Sequence, residues 1–345
     1  MKKLSKQITI GVDPYSGSRI RKRIYATSVA GLKQAEKDAI REFAKQGISS
    51  KMLYKAYEDR WVAAYRSDVE PHTKATTMSI LSHTRPIHGK KMSAVTKTDL
   101  QSIINDCKDH PYTCRSLASM FKHIWECAIS DNVVSKNVAY GLKTPKPSKT
   151  IRRPLTKKEL EGLAKADLDV SERFMADVLL QFGLRPAEAF ALDRNSFNRK
   201  TRTLTIDRDV AYDGNRPYIK GTKTGVTRVL PVPDSFWSKI PKINALYFFV
   251  NDQGQLMTKS QTRYFQKHII DKINVAMGGN KNIRLTSMTF YNFRHNKASL
   301  LYYLPGISLK AKAQYMGHSE KMFLETYSHM MEDKEDLEVL REAVV

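Results

Sequence analysis

The C-terminal half of this 345-residue sequence carries basic side chains at the ends of predicted elements, followed by a histidine and a tyrosine. Arg185 lies at a predicted helix junction, Lys223 lies in a predicted hairpin, and His318 and Tyr327 follow in a helical stretch. Guanidinium and ammonium groups bind phosphate, and a tyrosine hydroxyl can form a covalent intermediate. Taken singly, each residue has an ordinary explanation as a surface ion pair, a common turn or helix packing. Only their order and spacing together indicate a site.

Other kinds of site lack their sequence signatures. Neither a glycine-rich dinucleotide motif nor a phosphate-binding P-loop is present, so no nucleotide cofactor is indicated. The nine histidines form no H-E-x-x-H pattern and the carboxylates do not gather at two-metal spacing, which disfavours a metal-dependent nuclease. Cys107, Cys114 and Cys127 are spaced by seven and thirteen residues, which fits neither a disulfide framework nor a zinc clip. We therefore predict buried thiols, no metal and no cofactor.

The composition favours a polyanionic partner. The chain has 58 Lys and Arg against 35 Asp and Glu, a formal net charge of +23. Such an excess attracts nucleic acid first and an acidic membrane surface second. No stretch approaches the roughly 20 apolar residues that span a bilayer, and the N-terminus lacks an apolar secretory core. With 41% hydrophobic residues the chain can form two or three domains, and we predict a cytoplasmic protein.

Residues 1–48 are predicted to form a small β-sheet with one helix. Short β-like runs at 8–10 and 20–25 flank a turn, and a helix capped by Ser28 follows. The basic residues of the second strand are Arg19, Arg21, Lys22 and Arg23. Such a β-ribbon fits the major groove of DNA, and the alternative is an ordinary solvated basic strand.

Residues 50–142 show helical periodicity and predict a helical bundle around apolar side chains such as Leu117, Phe121 and Trp125. Residues 143–155 then contain three prolines and five basic residues, which predicts a semi-extended linker. Its charge suits a segment that lies along a phosphate backbone. The basic residues that we expect to contact DNA there are Lys146, Lys149, Arg152 and Arg153.

From residue 156 onward, helices are mixed with short strands. A capping-box pattern at Thr156 and an apolar run at 174–182 predict two helices. Strand signals follow, and we predict that they form one small antiparallel sheet. The predicted strands are 204–206, 218–220 and 227–232, and the hairpin between the last two carries Lys220, Lys223 and Arg228. The whole chain is thus predicted to be α+β and mainly α.

Four motifs in this half resemble the catalytic domain of the tyrosine recombinases, the phage integrase family. They are GLRPAEAFAL at 183–192, GTKTGVTRVLPVP at 221–233, YNFRH at 291–295 and MGHSEKMFLETYSHM at 316–330. In this order they resemble the first arginine box, the hairpin of the catalytic lysine, the H-x-L-R-H box and the L-G-H box with its nucleophile. The resemblance implies a mixed α/β catalytic domain at 156–330.

The resemblance also implies a role for each matching residue. The implied catalytic residues are Arg185, Lys223, Arg294, His318 and Tyr327, and the supporting residues are Glu188 and His295. Two arginines would fork onto the phosphate, which suits phosphoryl transfer without a metal. Lys223 would protonate the leaving 5′ oxygen, His318 would hydrogen-bond the phosphate, and Tyr327 would attack the phosphorus.

One position departs from the family pattern, because Tyr291 stands where the H-x-x-R box begins with histidine. A phenol with a pKa of ~10 does not take up a proton near neutrality as an imidazole does. We therefore predict that Tyr291 positions the phosphate or Tyr327 and does not act as a base. His295 has a place in the box but no assigned role.

The rest of the chain resembles the lambda-like branch of the family. Residues 1–48 resemble an arm-type DNA-binding domain and residues 50–142 a core-binding domain, which implies two kinds of site on double-stranded DNA. The resemblance also implies a homo-tetramer on DNA, an accessory DNA-bending or excision factor, and a location in the bacterial cytoplasm at the nucleoid. Residues 331–345 are predicted to form a helix that docks onto a neighbouring subunit, and the alternative is a frayed, solvated end.

The complete set of motifs favours a site-specific recombinase that integrates or excises a phage or mobile element through a 3′-phosphotyrosine intermediate. Two other functions stay open. A type IB topoisomerase that relaxes DNA has related chemistry, but it works as a monomer and needs no arm-like segment. A sequence-specific DNA-binding protein with a decayed catalytic centre is the other, and Tyr291 keeps that alternative open.

Overall fold

The structure is a computed structural model that describes residues 4–12, 19–46, 51–147, 153–222 and 225–327. The chain divides into two compact units, Met1–Lys149 and Thr150–Val345. Their boundary falls inside the linker predicted at 143–155, part of which lies outside the described residues. The finer division of the first unit into an arm-type and a core-binding domain stays a prediction, and the predicted tail helix at 331–345 is outside the description. None of the described helices is long and apolar enough to cross a membrane.

The first unit begins with two antiparallel strands that pack on one helix, as the sequence predicts. These elements are β1 (Leu4–Val12), β2 (Arg19–Ala26) and α1 (Val29–Gln46). Ile8 of β1 and Ile24 of β2 are buried against Ala39 of α1. The Ser28 hydroxyl accepts a hydrogen bond from the Gly31 N–H at 3.1 Å and caps the helix. Alternation along the strands places one apolar face toward the helix and leaves the other face outside.

In the described range 51–147 the first unit contains four further α-helices. They are α2 (Tyr54–Tyr65), α3 (Pro71–Leu81), α4 (Lys97–Asp106) and α5 (Pro111–Ser130), with short 3-10 turns at Ser82–Ile87 and Met92–Ala94. Trp61, Phe121 and Trp125 lie in their shared core. The core also buries all three cysteines, each of them a free thiol. The predicted helical bundle and the predicted buried thiols are both present.

The second unit combines seven α-helices and one short 3-10 helix with five short strands in its described part. The helices are α6 (Lys157–Lys165), α7 (Val170–Phe182), α8 (Pro186–Phe190), a 3-10 turn (Asp234–Lys239), α9 (Lys259–Ala276), α10 (Phe290–Tyr303), α11 (Leu309–Met316) and α12 (Glu320–Tyr327). The strands are β3 (Phe197–Asn198), β4 (Thr203–Ile206), β5 (Arg208–Asp213), β6 (Arg216–Gly221) and β7 (Arg228–Pro231). Thr156 caps α6 in a capping box with Glu159, as predicted. Phe174, Leu179 and Phe293 are among the buried residues that join α7 and α10 to the rest of this core.

The strands form two separate sheets, and the prediction of one sheet was wrong in this respect. β4 pairs with β3 and β7, whereas β6 pairs with β5. Neither β3 nor β5 was predicted from the sequence. β5 returns into β6 through a tight turn at Gly214 and Asn215, with φ of 58° at Gly214. Glycine adopts that left-handed conformation without the steric cost that other residues bear. The short local hairpin therefore takes β6 away from β7, and β7 pairs with β4 instead.

Candidate active site

An open cleft of about 1600 Å³ in the second unit is lined by residues of β7, α10, α11 and α12 and by Arg185 before α8. Arg294, His318 and Thr326 are on its wall together with Arg185. Residues that are far apart in the sequence thus reach one surface. The described residues contain no group of three or more His, Cys, Asp or Glu side chains that could hold a metal ion.

Arg185 is held in place by hydrogen bonds from both its backbone and its side chain. It directly precedes α8, where its backbone N–H donates to the Glu188 carboxylate at 2.8 Å. Its guanidinium donates to the other Glu188 oxygen at 2.6 Å and to the Gly317 carbonyl at 3.0 Å. The preceding Gly183 adopts a left-handed conformation with φ of 63°, which ends α7 and turns the chain toward the cleft. About a fifth of the Arg185 side chain is exposed, so it can meet a ligand.

Arg294 reaches the same place from α10 and is almost completely buried. Its guanidinium donates to the carbonyl oxygens of Gly183, at 2.7 Å, and of Met316. It also donates to Nε2 of His318 at 2.9 Å. These contacts tie the end of α7 and the end of α11 to α10, so the cleft has a fixed floor.

Glu188 is the buried acid that the positive groups share. One carboxylate oxygen pairs with Arg185, and the other lies 2.5 Å from Nη2 of Arg228 and 4.0 Å from Nη1 of Arg294. Burial alone would raise the pKa of the Glu188 carboxyl, but the charges of Arg228, Arg294 and Arg185 outweigh it and lower the pKa. Three guanidinium groups thus share one carboxylate, and the cluster as a whole keeps an excess of positive charge.

His318 follows the left-handed Gly317 that ends α11. Burial, together with the charges of Arg294, Arg185, Arg228 and His295, lowers the pKa of the imidazole to about 3. Because a guanidinium only donates, Nε2 of His318 accepts from Arg294 and the proton of the neutral ring lies on Nδ1. In this state His318 adds no further positive charge to the site.

Tyr291 and His295 occupy different environments on α10. Tyr291 lines the cleft and is 52% exposed, whereas His295 is buried within the cleft wall. The hydroxyl of Tyr291 is therefore accessible to a ligand in the cleft. Its position agrees with a positioning contact, although its predicted role stays a prediction.

Two predicted catalytic side chains are outside the description. Lys223 lies between the described ranges that end at residue 222 and resume at residue 225. Tyr327 is the last residue of α12, and its side chain is not described. The helix itself is anchored by Phe323, which is buried in a cluster with Met316. Because Met322 and Thr326 line the cleft, α12 ends beside it.

Arg228 is a residue of this site to which sequence reasoning gave no role beyond its place on the predicted hairpin. It begins β7 and is buried, with its guanidinium between Glu188 and the Tyr315 carbonyl. In β7 it shares the inward face with Leu230, while Val229 is exposed. An arginine at the inward-facing register of an apolar strand was the signal that could have revealed its part in the site.

The basic residues predicted to contact DNA have diverse surroundings. Arg19, Arg21 and Arg23 are exposed on β2, whereas Lys22 pairs with Glu42 of α1 at 3.2 Å. Lys146 is exposed, and Lys149 and Arg152 lie outside the described residues. Arg153 lines the cleft but uses its guanidinium on the buried Glu159, at 2.7 and 2.8 Å. Burial would raise the pKa of the Glu159 carboxyl, but Arg153, the Thr156 N–H and Thr286 lower it to about 2.

Comparison with known proteins gives consistent results. The sequence model of the phage integrase family matches residues 153–334, more than half of the chain. The tyrosine recombinase XerC of Actinobacillus succinogenes is 26% identical over 209 residues, which cover 56% of this chain and 62% of that protein. This chain therefore matches less than two thirds of that relative's length. XerC of Haemophilus influenzae is 22% identical over 266 residues, covering 75% of this chain and 84% of that protein.

Two groups of solved structures share the fold. The Tn1549 transposon integrase in complex with a circular intermediate DNA has a TM-score of 0.69 at 18% identity, covering 86% of this chain and all of that chain. A lambda integrase tetramer bound to a Holliday junction has a TM-score of 0.62 at 16% identity, covering 90% of each chain. The predicted α+β, mainly α fold is confirmed by this likeness.

Proposed function

The chain belongs to the phage integrase family of tyrosine recombinases, and from this membership we propose that it is a site-specific DNA recombinase that acts through a phosphotyrosine at Tyr327. The observation that carries the proposal is the meeting of Arg185, Arg294 and His318 in one cleft beside the end of α12. The reaction would integrate or excise a phage or another mobile element. A 3′-phosphotyrosyl link and a free 5′-hydroxyl would be its intermediates.

The charge balance of the cleft supports phosphate binding. The single negative charge of Glu188 is shared by three guanidinium groups, and two of these, Arg228 and Arg294, are nearly excluded from water. Such buried positive charge is costly unless an anion arrives to compensate it. The phosphate of a DNA strand supplies that anion, and its nonbridging oxygens gain charge in the transition state. Arg185 and Arg294 would stabilise this charge.

His318 would act as a neutral hydrogen-bonding group until DNA binds. Its imidazole is kept neutral by burial and by the neighbouring arginines, so it can donate from Nδ1. A phosphate in the cleft would offset those positive charges and raise the pKa of the ring. His318 would then hold a proton close to the reacting oxygen atoms.

Nucleophile and leaving group would be served by residues from two different segments. Tyr327 would give up its hydroxyl proton to water as its oxygen attacks the phosphorus, and the phosphorus–oxygen bond to the 5′ oxygen would break. Lys223 would give its proton to that leaving oxygen, since an ammonium group is a proton donor. Tyr291 would hydrogen-bond the phosphate or Tyr327. The ester conserves the bond energy, so the 5′-hydroxyl of a partner strand can reseal the DNA without a nucleotide cofactor.

We further propose two DNA-binding surfaces outside the catalytic cleft. The exposed arginines of β2 support an arm-type site. The helical bundle of the first unit would provide the core-type site, as the family resemblance implies. By analogy with the lambda integrase tetramer on a Holliday junction, the chain would assemble as a homo-tetramer on DNA. An accessory DNA-bending or excision factor and a location in the bacterial cytoplasm are parts of the same proposal.

Covalent trapping tests the proposal. The protein is incubated in EDTA with a nicked duplex that carries the core of its own attachment site, and the reaction is stopped with detergent. We expect a protein–DNA adduct that Tyr327→Phe abolishes. Tyr303→Phe is the matched control, because Tyr303 lies on α10 away from the cleft-lining residues and should still form the adduct. Tight DNA binding without any adduct from the unmodified protein would favour the decayed DNA-binding protein instead.

A further inference from the structure

Arg228 is a third buried guanidinium beside the two arginines of the cleft. Its side chain is 5% exposed and forms two hydrogen bonds in different directions. Nη2 donates to Glu188 at 2.5 Å, and Nη1 donates to the backbone carbonyl of Tyr315 at 3.0 Å. The guanidinium therefore bridges the acid that orders Arg185 and the last turn of α11.

The Tyr315 carbonyl lies two residues before the turn that presents His318. Gly317 in that turn is left-handed, with φ of 62°, and its carbonyl accepts the hydrogen bond from Arg185. The Arg228 side chain packs directly on this glycine. A Cβ added to Gly317 would lie 3.0 Å from Cδ and 3.1 Å from Nε of Arg228. The close approach means that Arg228 fixes the turn by contact as well as by hydrogen bonding.

The burial of this group needs an explanation beyond stability. A buried ion pair often contributes no more to stability than a well-packed apolar pair of the same size. An apolar residue at the start of β7 would pack with Leu230, which shares its face. Such a residue could not reach both the Glu188 carboxylate and the Tyr315 carbonyl. Only a guanidinium, with donors that point in two directions, can bind both acceptors from this position.

We infer that Arg228 is a positioning residue for strand cleavage, which holds the α11 turn so that Gly317 and His318 meet Arg185 and Arg294. This inference rests on the proposed recombinase function. Arg228 does not need to touch the DNA in this role, because both of its terminal nitrogens already donate to protein acceptors. It also links β7, which follows the Lys223 segment by five residues, to the segment that leads into α12.

The substitution Arg228→Lys tests the role of the bridge. Lysine keeps the charge but, with a single ammonium group, cannot span both acceptors in the same geometry. We expect the rate constant of adduct formation at saturating DNA to fall by about 10- to 100-fold, since misplacement of about 1 Å has effects of this size. The dissociation constant for DNA should stay within about threefold, because binding as a whole is carried by many phosphate contacts.

Arg208→Lys is the matched control. Arg208 also forks onto acids of this unit, Asp193 at 3.0 Å and Asp207 at 2.8 Å, but it does not line the cleft. Its variant should cleave at the rate of the unmodified protein. If Arg228→Lys also cleaves at that rate, or if its DNA affinity falls in proportion to its rate, the positioning role is overturned. If the unmodified protein forms no adduct, the proposed function fails.

A second readout does not depend on catalysis. The titration of His318, followed by NMR in the free protein, should move from a pKa of about 3 toward the ordinary value of 6.5 in Arg228→Lys. The positive charge is retained in this variant, so a rise reports a loosened, more solvated turn. An unchanged His318 titration in folded Arg228→Lys overturns the inference. If the lysine variant does not fold, Arg228→Gln is tested by its rate of adduct formation and its DNA affinity alone, because the loss of the Arg228 charge would by itself raise the pKa of His318. A rate equal to that of the unmodified protein overturns the inference.

Discussion

Glu188 is the residue on which the electrostatics of the cleft depend. It accepts from Arg185 twice and from Arg228 once, in a place where no part of its side chain is exposed. Removing one partner of a buried ion pair leaves the other charge desolvated and uncompensated. At this position three guanidinium groups would lose their common acid at the same time.

We therefore expect Glu188→Gln to lower the free energy of unfolding by about 3–5 kcal/mol at pH 7, measured with urea. The lowered pKa of the Glu188 carboxyl means that its contribution is present above the ordinary value of 4.5 and is lost as the pH falls toward the folded-state pKa. The difference between the two proteins should shrink below pH 4.5. Asp234→Asn is the control, since its exposed pair with Arg202 should be worth less than about 0.5 kcal/mol. Equal effects of both substitutions would contradict the role of Glu188.

His318 makes stability depend on pH in a higher pH range than Glu188 does. Its folded-state pKa of about 3 is below the ordinary 6.5, so between these values the unfolded chain binds the extra proton. Above pH 6.5 the imidazole is neutral in both the folded and the unfolded chain, so it does not change the free energy of unfolding. As the pH falls from 6.5 toward 3, the unfolded chain takes up the proton first and the free energy of unfolding decreases.

Unfolding in urea at pH 7.5 and at pH 5.0 measures this effect, because most carboxylates remain ionised at both values. From pH 7.5 to pH 5.0 we expect the free energy of unfolding of the unmodified protein to fall by about 1 kcal/mol more than that of His318→Asn. This figure allows for partial solvent exposure of the ring. The other histidines contribute equally to both proteins. An identical pH dependence would show that His318 is not desolvated.

Tyr291 offers a test of the one departure from the family pattern. Its exposed hydroxyl can hydrogen-bond a phosphate, and such a bond to a charged group is worth about 1.5–3 kcal/mol. We expect Tyr291→Phe to slow adduct formation by about tenfold or more without a new pH dependence. Tyr291→His should add an inflection between about pH 6 and 7 to the rate profile, since imidazole titrates there. A Tyr291→Phe variant as fast as the unmodified protein would remove Tyr291 from the site.

Among the elements, two helices around the cleft end at left-handed glycines. Gly183 ends α7 and Gly317 ends α11, with φ of 63° and 62°. The carbonyl of each accepts from a different cleft arginine, Arg294 and Arg185 respectively. These helix ends therefore do two things: they stop the helix and they present a carbonyl oxygen to a guanidinium.

Gly183→Ala should be more destabilising than an alanine at an uncrowded left-handed glycine. The new Cβ would lie 2.9 Å from Cβ of Lys297 and 3.1 Å from Cε of Met316. Gly214 has a similar φ of 58° but no atom within 4 Å of its added Cβ. Gly214→Ala should thus lower the free energy of unfolding only by the backbone cost of a left-handed alanine, about 1–2 kcal/mol. Gly183→Ala should lower it by about 1–3 kcal/mol more, because its Cβ is also crowded. Equal losses in urea unfolding would mean that crowding at Gly183 is relieved.

At the scale of the whole molecule, the excess of positive charge supports the proposed binding of DNA. A net charge of +23 favours counterion release on any duplex, whatever its sequence. On β2 the exposed arginines face away from the buried Ile24, while Lys22 is paired with Glu42. The arginines are therefore the groups of this strand that are available to phosphate.

We expect replacement of Arg19, Arg21 and Arg23 by glutamine to lower the salt dependence of binding to a mixed-sequence 30-bp duplex. The slope of log K against log salt should decrease by about 0.9 for each DNA phosphate that the variant no longer neutralises, up to about 3 in total. The control is Lys6→Gln with Lys22→Gln, because these lysines pair with Glu36 and Glu42. The control should change the slope less. If both sets change it equally, the arginine face of β2 is not a preferred DNA surface.

The family, several helix starts and the order of the candidate catalytic residues could be predicted from the sequence. Ser28 and Thr156 cap their helices as their local patterns predict, because each cap joins residues only three apart. The four motifs are likewise short and continuous. Local interactions of this kind are encoded within a few neighbouring residues and need no knowledge of the rest of the chain.

Tertiary structure alone decided which distant groups meet. The hydrogen bond from Arg185 to the Gly317 carbonyl joins residues 132 positions apart, and no local sequence pattern predicts it. Strand pairing also depends on tertiary structure. The tight turn at Gly214 pairs β6 with β5, so β7 pairs with β4 instead. Arg228 at the start of β7 then contacts Glu188. Buried polar groups must find partners wherever packing places them. The role of Arg228 therefore became visible only in the folded chain.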